Sequence, residues 1–188
     1  MKQPLYIFLL AGLSVIAGSC SKNFVTLNPE GQVNEANFFQ TPSDFQEALV
    51  GCYTPLRSAA NIAFYMEEMR ADNTFFDFNV KDRGGVGSEE LSEFLDGSDN
   101  TTIVALWTAD YQGIQNTDVL LDKIKTPPAG MTDSLKNEII GEAEALRAHY
   151  YFELVRCFGA VPLYLHEVTT AQQAFINRSP VIHSPSAR

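Results

Sequence analysis

Residues 132–162 read TDSLKNEIIGEAEALRAHYYFELVRCFGAVP, and this stretch decides the fold. Its apolar side chains recur every three or four residues, which is the period of an α-helix with one buried face. They are Leu135, Ile139, Ala143, Leu146, Tyr150, Leu154 and Phe158. Gly159 stands where a helix C-terminal glycine belongs, and the proline three residues later prevents continuation. The stretch therefore predicts one long helix that begins at Thr132 or Asp133 and ends at Phe158.

The same period precedes this stretch between Thr102 and Ile124, and the Pro-Pro-Ala-Gly turn after it ends the helix. Its apolar stripe consists of Ile103, Trp107, Tyr111, Ile114, Leu121 and Ile124. Because Trp107 lies in this stripe, we predict that it packs in the core rather than stacking on a ligand. Two long helices joined by a tight turn form an αα-hairpin, which buries one face only when stacked on neighbours. The predicted fold class is all-α, built from tetratricopeptide-like helical hairpins.

A third helical pattern begins at Thr41, which can cap the helix, with Pro42 in the first helical position. Its apolar face consists of Phe45, Leu49, Cys52, Tyr53 and Leu56. Pro55 is expected to kink or end this helix, because proline lacks the N–H that an interior helical residue donates. A weaker helical stretch is predicted over 61–70.

The segments between and after the helices are predicted to be irregular. Residues 72–100 carry four glycines and a cluster of acids, which predicts a long surface loop with at most a turn of helix near Glu89–Leu95. Residues 161–168 are expected to be extended. The tail, residues 169–188, has two Ser-Pro pairs and no period, so we expect it to be loose.

The first 19 residues are typical of a secretory signal peptide, with a short basic start, an apolar run and a small-residue end. The apolar run is too short to cross a bilayer as a helix, which takes about 20 residues. Cys20 follows directly, and Ala17-Gly18-Ser19-Cys20 resembles a bacterial lipobox, so we predict that Cys20 is acylated. The alternative is an ordinary signal peptide cut nearby, with Cys20 a spare thiol. Residues 21–37 are expected to form an extended tether.

The charge of the chain excludes one class of partner. With 23 acidic and 13 basic residues among 188, the formal charge is −10, which repels phosphate backbones and argues against nucleic acid. Cys52 and Cys157 lie among apolar residues and are predicted to be buried as small hydrophobes. His149, His166 and His183 show no ligand spacing, so we expect no metal and no cofactor.

Several blocks of sequence occur in an order that is typical of one family. After Cys20 they are Phe38–Pro42, Glu47–Tyr53, Trp107–Asn116, Gly141–Phe152 and Phe158–Leu163. The chain resembles the N-terminal part of the SusD/RagB family of outer-membrane nutrient-binding lipoproteins. The resemblance covers residues 20–168, which are expected to form a SusD-like helical domain, with residues 169–188 as the point of truncation.

The resemblance implies a lipid-anchored protein of the outer membrane that faces the cell surface and works with a TonB-dependent, SusC-like transporter. Its ligand is expected to be a glycan, and a peptide is the alternative. A further alternative is a helical adaptor that contacts only protein. Family members are longer, so we expect this chain to be an incomplete member that is poorly stable and binds ligand weakly when expressed alone.

The resemblance places part of the ligand surface in the long loop. Sugar recognition needs aromatic faces for the C–H side of the ring and planar polar groups for its hydroxyls. The candidate ligand-binding residues are Asp72, Asn73, Phe75, Phe76 and Arg83. The competing interpretation is a solvated acidic loop with its phenylalanines tucked beneath it.

Catalysis is not expected. Glu67-Glu68 and Glu89-Glu90 are adjacent carboxylates, but neighbouring helical residues point about 100° apart and do not converge on one bond. No nucleophile motif or phosphate-binding loop is present in the sequence. Glu142, Glu144 and Arg147 are predicted to be solvated helix charges that pair along their own helix.

Overall fold

The computed structural model describes residues 38–77, 79–81 and 84–176. It contains five helices in this range, and the prediction of an all-α fold is confirmed. The helices are α1 (Pro42–Glu68), α2 (Val86–Ser92), α3 (Thr101–Lys123), α4 (Asp133–Phe158) and α5 (Ala171–Ala174). None of the helices in this part of the chain is long and apolar enough to cross a membrane.

The three long helices pack on one another, with α3 against both α1 and α4 and with a further contact between α1 and α4. Residue pairs across α3 and α4 run in opposite directions, since Asp118 meets Arg147 while Trp107 meets Phe158. The two helices therefore form the antiparallel hairpin that the sequence predicts. Their apolar faces and that of α1 form a continuous core around Phe45, Ile114 and Tyr150.

The ends of the long helices follow the capping signals. Thr41 accepts a hydrogen bond from the Asp44 N–H, and the Asp44 carboxylate accepts one from the Thr41 N–H at 2.7 Å, which closes a capping box at the start of α1. Thr132 caps α4 by accepting from the Leu135 N–H at 3.2 Å. Gly159, at φ +70°, ends α4 in a backbone region that favours glycine.

The apolar face predicted for α4 is confirmed, with five of its seven members buried and the two end members half-buried. On α1, Phe45, Leu49 and Cys52 are buried as predicted. Tyr53 is exposed instead, and its hydroxyl donates to Glu142 Oε2 at 2.9 Å. Trp107 packs against the core as predicted, in an edge-to-face contact with Phe158 whose ring centroids are 5.0 Å apart.

Helix α1 continues through Pro55, so the expectation of a separate helical stretch beginning at residue 61 is wrong. Proline has no N–H for the carbonyl of Gly51, four residues earlier. Asn116 Nδ2 donates to that carbonyl at 3.2 Å, and the Tyr150 hydroxyl donates to the neighbouring Cys52 carbonyl at 2.7 Å. Side chains from α3 and α4 therefore satisfy the carbonyls beside the proline, which offsets the cost of keeping it in a helix.

Helices α3 and α4 pack closely together at Gly113. A β-carbon at this position would lie 2.4 Å from the Tyr150 ring, which is fully buried and hydrogen-bonded to α1. Only glycine leaves room for this contact, because real Cβ atoms do not approach other heavy atoms so closely. Gly113 and Tyr150 thus set the spacing of the three-helix core.

Helix α3 also buries three polar side chains that its predicted stripe does not include, Asp110, Thr117 and Asp118. The Thr117 hydroxyl donates to the Ile114 carbonyl at 2.8 Å. Asp118 Oδ1 accepts from Arg147 Nη1 at 2.7 Å. Arg147 is therefore paired across the hairpin, and the prediction that it pairs along its own helix is wrong. The Asp110 carboxylate makes no hydrogen bond with any described residue. The burial of Asp110 and Asp118 is the main difference between this core and the one that the sequence predicts.

The chain after α4 is held against the hairpin by tyrosines. The Tyr111 hydroxyl donates to the Pro162 carbonyl at 2.8 Å, and the Tyr151 hydroxyl donates to the Tyr164 carbonyl at 2.9 Å. Residues 161–168 contain no helix, as predicted. The prediction of a loose tail from residue 169 onward is wrong at its start, because Thr170 and Gln173 form a capping box around α5. Residues 177–188 lie outside the described part of the chain, as does Cys20.

Candidate ligand-binding surface

Residues 72–100, hereafter the loop, join α1 to α3 and contain α2. The loop is tied to itself by Phe76, whose N–H donates to Ser92 Oγ at 3.0 Å. The Phe76 ring lies against Gly85, where an added β-carbon would come within 2.8 Å of it. Phe76 is half-buried and anchors the loop, so this candidate ligand residue has a structural role.

Phe75 has the opposite orientation. Phe75 is 73% exposed, and Asp72 and Asn73 are exposed in the turn just before it. The structure thus gathers three of the five candidate residues within one short exposed segment. Arg83, the fifth candidate, lies outside the described residues.

A second exposed aromatic residue of the loop, Phe94, was not among the candidates. Its backbone lies in the left-handed region at φ +56°, which is costly for a bulky residue, and its ring is 66% exposed. The Arg70 guanidinium lies 5.2 Å from the ring centroid, and Arg70 Nη2 bonds Asp96 Oδ1 at 2.8 Å. The sequence did not predict this contact of Phe94 with Arg70, because no sequence motif marks the left-handed turn that exposes the Phe94 ring.

Asn100 organises the end of the loop. Its side-chain oxygen caps α3 by accepting from the N–H groups of Thr102 and Ile103, and its amide donates to the Gly87 carbonyl and to Glu90 Oε2 at 2.9 Å. A cavity of about 400 Å³ opens beside it, with Val86 and Leu95 as apolar wall and Glu90 and Asp99 as acceptors. This volume and mixture of side chains suit a small polar ligand.

Of the four acids considered for catalysis, three are buried or engaged in other contacts. Glu67 pairs with Arg156 at 2.7 Å, Glu89 is buried, and Glu90 accepts from Asn100. Among the described residues, no group of three or more His, Cys, Asp or Glu side chains is arranged to hold a metal ion. The free thiol of Cys52 is buried, which raises its pKa to about 12 and makes it a poor nucleophile.

The fold and this surface define a class of protein, an all-helical module whose loop presents aromatic and planar polar side chains to solvent. The family model named SusD-like, described as starch-binding and associating with the outer membrane, matches residues 27–184. The chain belongs to this SusD-like family, as its sequence blocks predict.

Individual relatives agree with this assignment at low identity. A SusD-like protein P38 of Formosa agariphila is 28% identical over 91% of this chain and 32% of its own length. A second protein from that organism, SusD-like protein P2, is 27% identical over 78% of this chain and 28% of its length. A SusD-like protein of Bacteroides ovatus is 24% identical over 87% and 29%. The chain spans about a third of the length of these relatives. No solved structure matches.

Proposed function

We propose that this chain captures a glycan at the outer membrane and passes it to a TonB-dependent, SusC-like transporter, without catalysing a reaction. The family description, starch-binding and associating with the outer membrane, supports this role. The loop residues Asp72, Asn73 and Phe75, with Arg83 as a further candidate, form the glycan-contacting segment. The observation that carries the proposal is the outward Phe75 ring beside two exposed planar polar side chains.

The physical argument rests on how sugars are bound. A pyranose ring presents C–H groups on its face, which pack on an exposed aromatic ring, while carboxylate and amide groups bond the hydroxyls around it. The Phe75 ring is not part of the hydrophobic core, so its face stays exposed in the folded chain and is available to a ligand. Leaving a large apolar ring in water costs free energy, which binding a ligand recovers.

The glycan proposal predicts that Phe75→Ala weakens binding of a starch-derived or other recognised oligosaccharide by about tenfold, since loss of one aromatic contact of about 1–1.5 kcal/mol has that effect. Screening of the purified chain against an oligosaccharide panel by calorimetry identifies the ligand, and the variant is then titrated with it. Phe175→Ala is the matched control, because Phe175 is 81% exposed but lies outside the loop. Equal weakening by both variants, or no glycan binding by the wild type, contradicts the proposal.

We also propose that Cys20 is acylated and anchors the protein to the outer membrane with the chain facing the cell surface. The lipobox-like sequence before Cys20 supports this. Stable anchoring takes more than one acyl chain, because a single chain binds a bilayer only marginally.

The anchoring proposal predicts that a clickable palmitate analogue labels the wild-type protein in cells and does not label Cys20→Ala. Cys157→Ala is the control, since the half-buried Cys157 thiol should have no part in labelling. Protease treatment of intact cells tests the orientation, because a surface-facing protein is degraded and a periplasmic one is protected. Labelling of Cys20→Ala at the wild-type level would exclude this anchor.

A further inference from the structure

A second cavity, of about 430 Å³, opens between the end of α3, the first half of α4 and residues 165–166. Its apolar wall is aliphatic and consists of Leu121, Ile124, Ile140 and Leu165. The outer wall is fixed in place by Asp122, which accepts from the Glu167 N–H at 2.9 Å and lies 3.0 Å from His166 Nδ1. None of the lining residues belongs to the loop, so this cavity is separate from the proposed glycan segment.

Most of the charges around this cavity are already compensated. Lys125 pairs with Asp122, and Arg147 pairs with the buried Asp118. Two lining charges of opposite sign remain, Lys136 and Glu144, and neither makes an ion pair with any other residue that the structure describes. The cavity therefore offers one free cation and one free anion around an aliphatic wall.

The spacing of the two free charges indicates the shape of a ligand. Lys136, Ile140 and Glu144 follow one another at four-residue intervals, so they lie on one face of α4. Eight residues of helix place the α-carbons of Lys136 and Glu144 about 12 Å apart along the axis. Ile140, between them, supplies apolar surface that a ligand joining both charges would cover.

We propose that this cavity binds a short aliphatic peptide through its free termini, with the terminal carboxylate on Lys136 and the terminal ammonium on Glu144. Three extended residues span about 10 Å, and the flexible lysine side chain covers the remainder. No Trp, Tyr or Phe side chain lines the cavity, so the aromatic stacking that favours sugars is missing there. The site stands independently of the loop, whichever ligand the loop takes.

The test uses the tripeptide Leu-Ala-Leu with free termini, its C-terminal amide and its N-acetyl form, each titrated calorimetrically into the full chain. Blocking either terminus should weaken binding to the wild type about tenfold, because each block removes one charge-assisted hydrogen bond. In Lys136→Met the amide should bind as well as the free acid, while the N-acetyl form still binds more weakly than the free amine. In Glu144→Gln the pattern should be reversed.

Matched controls separate the cavity from general surface charge. Lys81→Met removes an exposed lysine of the loop, and Glu138→Gln removes an exposed acid of α4 that does not line the cavity. Both controls should keep the two blocking penalties at their wild-type size, and thermal unfolding should show that all four variants are folded. Absence of saturable binding overturns the proposal. Equal binding of free and blocked peptides, or penalties that persist in both cavity variants, also overturns it.

Discussion

Replacing Gly113 by alanine should lower the free energy of unfolding by about 3 kcal/mol, at the upper end of the range for overpacking a core. The new methyl group would lie 2.4 Å from the Tyr150 ring. That ring cannot move aside cheaply, because it is fully buried and its hydroxyl bonds the Cys52 carbonyl at 2.7 Å. Relief of the clash therefore requires α3 and α4 to separate or the bond to α1 to break.

Urea unfolding of the purified chain measures this effect, with Gly141→Ala as the matched control. Gly141 lies in α4, is exposed, and an added β-carbon there meets nothing within 4 Å. Alanine is the better helix former, so Gly141→Ala should stabilise the chain by about 0.5–1 kcal/mol. If both glycine variants shift stability in the same direction, the close contact between Gly113 and Tyr150 does not exist in solution.

Replacing Asp110 by asparagine should stabilise the chain strongly at pH 8 and less than half as much at pH 5. Burial, together with the nearby charge of Glu153, raises the pKa of the Asp110 carboxyl from 3.8 to about 7. The fully buried carboxylate has no hydrogen-bond donor among the described residues to compensate its charge. The folded chain therefore holds a proton on Asp110 at pH values where the unfolded chain has lost it.

The sign of the pH dependence follows from this proton. Between about pH 4 and pH 7 the folded state binds one more proton than the unfolded state, so the Asp110 contribution to stability decreases as the pH rises. The rise in the Asp110 pKa from 3.8 to about 7 corresponds to a loss on the order of 4 kcal/mol by pH 8, and asparagine does not incur it.

The measurement is the difference in unfolding free energy between Asp110→Asn and the wild type at pH 5 and at pH 8. Taking the difference removes the effect of other titrating groups, including Asp118. Burial raises the pKa of the Asp118 carboxyl despite the opposing effect of Arg147. Glu138→Gln, an exposed change on α4, should show no such pH dependence. A stability difference that stays constant with pH would show that Asp110 is charged or hydrated in the folded chain.

In the described part of the loop, each of the two interpretations left open for its phenylalanines fits one residue. Phe76 is tucked in and bonded to Ser92, as in a purely structural loop, while Phe75 is exposed, as in a binding loop. The sequence places the two rings side by side and carries no information about which one faces the protein. That choice depends on the contact with Gly85, which lies nine residues away.

The sequence by itself determined the class of fold, the limits of α3 and α4 to within about one residue, the caps at Thr41 and Gly159, and the buried face of α4. These features depend on local periodicity and on backbone groups within a few residues of one another. Only the tertiary structure decided that α1 passes through Pro55, that Asp110 and Asp118 are buried, and that Arg147 crosses the hairpin. Each of these depends on a partner from another helix, such as Asn116 for the Gly51 carbonyl or Arg147 for Asp118. A residue's own position in a helical pattern does not reveal whether such a partner will be there to satisfy a buried polar group.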